Sequence, residues 1–180
     1  MEMKEKINVN DYAQTIAEGL KKGILLNTNA GQFDSMVIGW GALGVCWGLP
    51  TFTAYVREGR YTKSRLDESG EFTISIPLGD ADPVIFRVCG MKSGRDTDKV
   101  KEANLTLEDP EVINTPGIKE YPLTLECKVI YVQTQDPMLL QKELQEKIYP
   151  QDVDRETNAF ANKDPHTMYI GQIVDAYIIK

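Results

Sequence analysis

The sequence predicts a mainly β protein with short helices, an antiparallel barrel rather than a doubly wound sheet. Segments rich in β-branched and aromatic residues recur between Gly, Pro and Asn signals, and the helix-like segments between them are few and short. Strand and helix also fail to alternate as β-α-β units require. A chain of 180 residues with 42% hydrophobic residues supplies one core, and at this size a chain buries roughly 70% of its unfolded surface. With no repeat and no low-complexity linker, residues 1–180 read as one domain whose first 23 residues form an N-terminal helical segment.

Tyr12, Ile16 and Leu20 fall on one helical face, with Asn10 or Asp11 as cap and Gly23 as stop. ILLN (24–27), SMVIGWG (35–41) and PTFTAYV (50–56) follow as strands. Thr62 is placed to cap a helix over 63–69 that Gly70 closes, and EFTISIPL (71–78) alternates as a strand. PVIFRVCG reads as a buried strand or a helix; Asp82 as cap, Pro83 at the first position and Gly90 as stop favour the helix. A helix over 97–103 precedes LTLECKVIYVQT (123–134), the longest strand, with alternate residues from Leu123 to Gln133 on one face. PMLLQKELQEKI (137–148) reads as helix, and MYIGQIVDAYII (168–179) closes the chain as a strand with a bulge signal at Gly171.

Composition removes several functions. Twenty basic against twenty-seven acidic residues leave a net charge of −7, which disfavours a broad nucleic-acid or anionic-membrane footprint but permits a local basic pocket. The three cysteines, Cys46, Cys89 and Cys127, form neither a disulfide framework nor a CxxC pair. They fit a reducing, cytoplasmic setting, and no apolar run reaches membrane-spanning length. With one histidine, His166, no multi-histidine metal site is expected. Neither GxGxxG nor GxxxxGK[ST] occurs, so a nucleotide-like cofactor has to bind another way.

Two runs concentrate polar groups. CGMKSGRDTDK (89–99) combines Gly90 and Gly94 with Ser93 and Thr97 and with Lys92, Arg95 and Lys99. That is the makeup of an anion cradle, or of a solvated turn capped by Asp96. YVREGRYTKSR (55–65) sets Arg57, Arg60, Lys63 and Arg65 around a helix start, suiting a phosphate or a solvated basic loop. Between them, Trp40 and Trp47 stand among Gly39, Gly41, Gly44 and Gly48, where a flat ligand can approach or aromatics can pack in the core. Cys46 and Cys89 read as inert buried thiols.

NTNAGQFDSMVIGWG (27–41), FTAYVREGRYT (52–62), PLGDADPVIFRVCGMKSGRDTDK (77–99) and MYIGQIVDAYI (168–178), in this order, resemble the flavin reductase-like, FMN-binding split-barrel family. The resemblance runs from Ile24 to the C-terminus, and SGRDTDK is its best marker. It implies a Greek-key split β-barrel that forms a homodimer and holds FMN noncovalently near the subunit interface. By similarity, Ser35, Met36, Val37, Ile38, Gly39 and Trp40 edge the isoalloxazine. Tyr55, Val56, Arg57, Tyr61 and Thr62 meet the ring or the ribityl phosphate. Cys89, Gly90, Ser93, Gly94, Arg95, Asp98 and Lys99 complete the cradle. In such a protein the cofactor carries hydride or electrons, while the chain binds, orients and tunes it.

The same resemblance implies NAD(P)H as electron donor, although no nicotinamide fingerprint is present. His166, just before the last strand, is the one catalytic candidate, as a polar contact or proton donor at the flavin, against a structural role. Three functions are carried forward: a flavin reductase, a flavoredoxin-like carrier exchanging electrons with a redox protein partner, and a non-redox module that binds a phosphate-bearing ligand.

Overall fold

Hydrogen bonding rather than helix packing organises the chain. The computed structural model describes residues 4–153 and 162–180; residues 1–3 of the expected N-terminal segment lie outside them. In chain order the elements are β1 (Lys4–Lys6), α1 (Ala13–Lys22), β2 (Ile24–Asn29), β3 (Phe33–Ile38), β4 (Gly41–Cys46), β5 (Leu49–Arg57), α2 (Tyr61–Ser69) and β6 (Glu71–Ile76). Then come α3 (Pro83–Met91), α4 (Lys99–Glu102), β7 (Leu107–Glu108), β8 (Gly117–Ile118), β9 (Leu123–Thr134), α5 (Lys142–Ile148) and β10 (His166–Ile179).

Eight strands form one antiparallel sheet in the order β3-β2-β6-β9-β10-β5-β4, with β1 paired to the end of β10. The sheet wraps one core, in which Phe52, Phe72, Ile74, Leu125 and Tyr169 are almost wholly buried. Among the described residues β3 and β4 do not pair, so the barrel stays open between them: it is the split β-barrel that was expected, mainly β with short helices. β7 and β8 form a separate two-stranded ladder. No helix of the described residues is long and apolar enough to cross a membrane.

Several boundaries differ from expectation for identifiable reasons. The first helix is preceded by a 3-10 turn, Val9–Tyr12, whose start is capped by Asn8 accepting from the Asn10 N–H; neither Asn10 nor Asp11 is the cap. Gly23 does stop α1, at φ +99°, where a Cβ would meet Phe86 and Val37 at 2.6 and 2.8 Å. The strand expected over 35–41 ends at Ile38, and the glycine-rich stretch after Trp40 forms β4, whose turn to β5 has Trp47 and Gly48 both at positive φ, 52° and 76°. This is the two-residue hairpin geometry that matches strand twist.

Asp82 caps α3 as predicted, but the helix runs through Gly90 to Met91. Asp98 rather than Asp96 caps a shorter α4. Leu140 and Gln141 take extended backbone angles, so the expected 137–148 helix divides into a 3-10 turn and α5.

β9 has the predicted bounds, but its alternation holds only at first. Leu123 to Cys127 are buried on both faces because the Glu126 carboxylate accepts the N–H groups of Glu111, Val112 and Ile113 at 2.6, 2.8 and 3.1 Å and ties the preceding loop over the sheet. The register then shifts opposite Ile170 and Gly171, leaving Ile130 as the extra residue. Beyond it, Ile130, Tyr131 and Val132 are exposed.

Candidate functional site

The two basic runs meet in space. α2 begins at Tyr61 after the turn that follows β5, and the segment after α3 folds against it. Met36, Arg57, Arg60, Tyr61, Thr62, Cys89, Lys92, Ser93, Arg95 and Lys99 line a cavity of about 140 Å³ between them. Arg60 donates to the Gly90 carbonyl at 3.3 Å, and the Arg95 guanidinium lies over the Tyr61 ring at 5.4 Å. Burial, and then the neighbouring Arg57, lower the Arg60 pKa from its ordinary value, a sign of positive charge held in a confined place.

A buried carboxylate frames the cavity. Asp34, on β3, pairs with Lys99 at 3.1 Å and accepts the Thr62 hydroxyl at 2.5 Å, while the Lys99 ammonium also donates to the Ser35 carbonyl at 2.6 Å. Thr62 is therefore a cross-brace and not the cap of α2, whose N-cap position is Arg60, with no side-chain cap hydrogen bond. Lys99, expected to face the ligand with a free charge, has its ammonium engaged inside the wall. Gly94 fits here because a Cβ would stand 2.3 Å from Asp34 Oδ1 and 2.7 Å from Tyr61. Burial pushes the Cys89 thiol pKa up, so it stays a protonated apolar surface of the wall.

Beside the cavity runs an aromatic groove of about 470 Å³, with Gly39, Trp40, Gly41 and Tyr55 below and Leu140, Leu144, Ile148 and Tyr149 above. Tyr55, which lines the groove, and Arg57, which lines the cationic cavity, are alternate residues of β5, about 7 Å apart on one strand face. His166 pairs with Arg57 in the ladder, packs its ring 4.3 Å from that of Trp40, and bonds through Nδ1 to the Tyr149 hydroxyl at 2.8 Å. Burial, with Arg57 and Arg60 adding to it, lowers its pKa to about 4, so the ring is neutral at pH 7.

Most of the predicted residues converge, but four take other places. Ile38 and Val56 point into the main core, Val37 packs against the second cluster beside Cys89, and Asp98 caps α4 by accepting the Lys101 N–H. Ile38 shares its face of β3 with Met36, and Val56 its face of β5 with Ala54, both turned to the main core, while Val37 lies on the opposite face of β3. Asp34 and Tyr149 were not foreseen. A carboxylate inside the apolar strand FDSMVI was the available signal for Asp34; nothing local marks Tyr149.

An uncharacterized protein of Archaeoglobus fulgidus is 34% identical over 86 residues, 47% of this chain and 48% of that protein, so the match spans about half of each. Flavoredoxin of Desulfovibrio vulgaris (Miyazaki F) superposes with a TM-score of 0.63 at 23% identity, covering 88% of this chain and 69% of that one. A flavin reductase solved in complex with NADP+ gives a TM-score of 0.58 at 14% identity, over 88% and 78%. These structural likenesses establish the shared fold. Residues 19–180 match the model of the flavin reductase like domain, and the chain belongs to that family.

Proposed function

We propose that the protein is an FMN-binding oxidoreductase that accepts reducing equivalents from NAD(P)H. The observation that carries the reading is the meeting of the SGRDTDK run with the REGRYT turn in one cationic cavity that opens beside an aromatic groove. The residues fit a phosphate-bearing flavin. Arg57, Arg60, Lys92 and Arg95 supply charge, Ser93 a hydroxyl, and the place where a Cβ on Gly94 would collide keeps the backbone close to the cavity. The Ser35 hydroxyl is buried beside the Cys89 thiol, in the strand expected to edge the ring.

Bound FMN supplies the capacity to take up and release hydride or single electrons. The chain's own tasks are separable. Arg57, Arg60 and Arg95 hold the phosphate; Asp34, Lys99 and Thr62 fix the wall that carries them; Trp40 and Tyr55 provide flat apolar surface; the neutral His166 is held by Tyr149 and presents no charge to the ring. FMN is expected to bind more tightly than riboflavin by about 1.5–3 kcal/mol, the worth of charge-assisted contacts. Arg60→Ala should remove most of that difference, and fluorescence titration of the two flavins measures it.

Anaerobic stopped-flow absorbance then tests the reaction. Rapid bleaching of the flavin band by NADH or NADPH is the expected result. Bleaching by dithionite or a reduced protein donor alone would move the protein to the carrier role, and binding of phosphate esters without flavin would move it to the non-redox module. We further propose a homodimer in a reducing, cytoplasmic compartment, where the three free cysteines stay reduced. The exposed Val45, Trp47, Ile130, Tyr131 and Val132 supply the apolar surface for the pairing.

A further inference from the structure

The described residues that line the cationic cavity include Arg57, Gly59, Arg60, Tyr61 and Thr62, but not Glu58 between them. The Glu58 carboxylate is engaged elsewhere: it accepts the hydroxyl of Thr167, a buried residue of β10. Thr134 Oγ1, at the end of β9, lies 2.9 Å from Thr167 Oγ1 and 3.4 Å from Glu58 Oε1, within reach of both. Lys63, in the first turn of α2, stands 3.6 Å from Glu58 and 2.8 Å from Asp67, and Asp67 accepts the Tyr169 hydroxyl at 2.5 Å. One chain of polar contacts thereby joins the arginine turn, the helix after it and the strands β9 and β10.

A second carboxylate reaches the turn from the segment before β10. Asp164 accepts the Gly59 N–H at 3.1 Å, and Gly59 leaves room for it, since a Cβ there would stand 2.5 Å from Asp164 Oδ2. The Glu58 N–H donates to the Pro165 carbonyl at 3.1 Å, and the Arg60 N–H closes the turn on the Arg57 carbonyl at 3.0 Å. Asp164, like Glu58, is not among the described residues that line the cavity.

By charge alone these two residues are misplaced, because a carboxylate close to a phosphate site opposes the phosphate. The field of Asp164 reaches His166, whose protonation it favours while burial, and then Arg57 and Arg60, oppose it. What the carboxylates supply is order. A turn that carries two guanidinium groups can present them in many arrangements, and fixing its backbone in advance spares the ligand that cost.

We infer that Glu58 and Asp164 are positioning residues for phosphate recognition: they hold the Arg57–Arg60 turn to β10 and to the segment before it, and so set the two guanidinium groups without touching the ligand. This rests on the reading of the cavity as the seat of the flavin phosphate.

Glu58→Ala and Asp164→Ala, compared with Glu58→Gln and Asp164→Asn, test it in fluorescence titrations of FMN and riboflavin, with amide exchange followed in the unliganded proteins. Each alanine variant should lower the FMN-to-riboflavin affinity ratio by about threefold to tenfold, the equilibrium effect of one lost hydrogen bond. Exchange at the Glu58 and Gly59 amides should quicken while the β6–β9 ladder stays protected. Gln and Asn keep an oxygen that accepts the same bonds, so they should hold the ratio at or above the wild-type value. Riboflavin affinity should be unchanged in all four, which a general loss of structure would not allow.

A ratio that rises in the alanine and amide variants alike makes the carboxylates act by charge alone and overturns the inference. Unchanged exchange at the turn overturns it as well. A wild-type preference for FMN that the alanine variants keep removes the inference and leaves the flavin-phosphate reading standing, whereas a wild-type protein that binds FMN no tighter than riboflavin ends both.

Discussion

Lys99 and Asp34 show how a residue's chemistry can be legible while its role is not. A lysine within a Gly- and Ser-rich basic run reads as an anion ligand, yet its partner lies on a distant strand that no local pattern connects to it. With both side chains about 96–98% buried, removing one partner leaves an uncompensated charge. Lys99→Met should therefore destabilise the fold by about 3–5 kcal/mol, and the added change Asp34→Asn should recover much of it; urea denaturation of the single and double variants measures both.

His166 makes a pH-dependent contribution with a definite sign. Its folded pKa is about 4 against 6.5 for an ordinary imidazole, so between these values the unfolded chain takes up a proton that the folded chain does not. Stability is level on this account above pH 6.5 and falls as the pH drops toward 4, by up to about 2–3 kcal/mol before solvent screening reduces it. His166→Gln lacks this dependence, so the gap between wild type and variant in urea melts should narrow from pH 7 to pH 4.5.

At the scale of elements, strong periodicity and strong punctuation were readable, and compensated irregularity was not. β9 appeared with its correct bounds because twelve residues sustain a β-branched and aromatic composition. β4 went unseen because Gly41 and Gly44 dilute its strand signal, and β1 because three charged residues form a strand only through the edge of β10. Gly171 was legible as a bulge, although the extra residue is Ile130 on the neighbouring strand.

The structure adds why glycine is needed at that point: a Cβ would stand 2.6 Å from the Phe72 ring and 2.9 Å from the Cys127 Cβ. Gly171→Ala should cost about 1–3 kcal/mol by overpacking, read from thermal melts. A Phe72→Leu change should offset part of the loss, because it removes the two ring atoms in conflict.

For the whole molecule, one group of exposed apolar side chains joins two elements. Trp47 at the β4–β5 turn lies 5.8 Å from Tyr131 of β9, ring to ring, and Val45, Ile130 and Val132 extend the same exposed character. The β9 ladder to β6 ends at Lys128, the Val129 N–H still bonds the Gly70 carbonyl, and beyond it this edge of β9 has no strand partner among the described residues. Trp47→Asp combined with Tyr131→Lys should shift the proposed dimer to monomer in light scattering at micromolar concentration, with the far-ultraviolet spectrum unchanged. Retention of the dimer would place the interface elsewhere.

β10 has a further consequence. On one side it bonds β9 and through it β6, β2 and β3; on the other it bonds β5 and β4. Among the described residues it is the strand that joins the two halves of the ladder, and its pairing with β5 connects His166 to Arg57 over a long sequence separation. The cavity's arginine turn belongs to one half, and the β3 wall to the other. Nucleation can proceed within each half, but registration of the site waits for a contact that closes a long loop, which makes closure slow. Amide exchange should accordingly show the β4–β5 hairpin opening as a unit, at lower free energy than β2, β6 and β9, with loss of site geometry as the first step of unfolding.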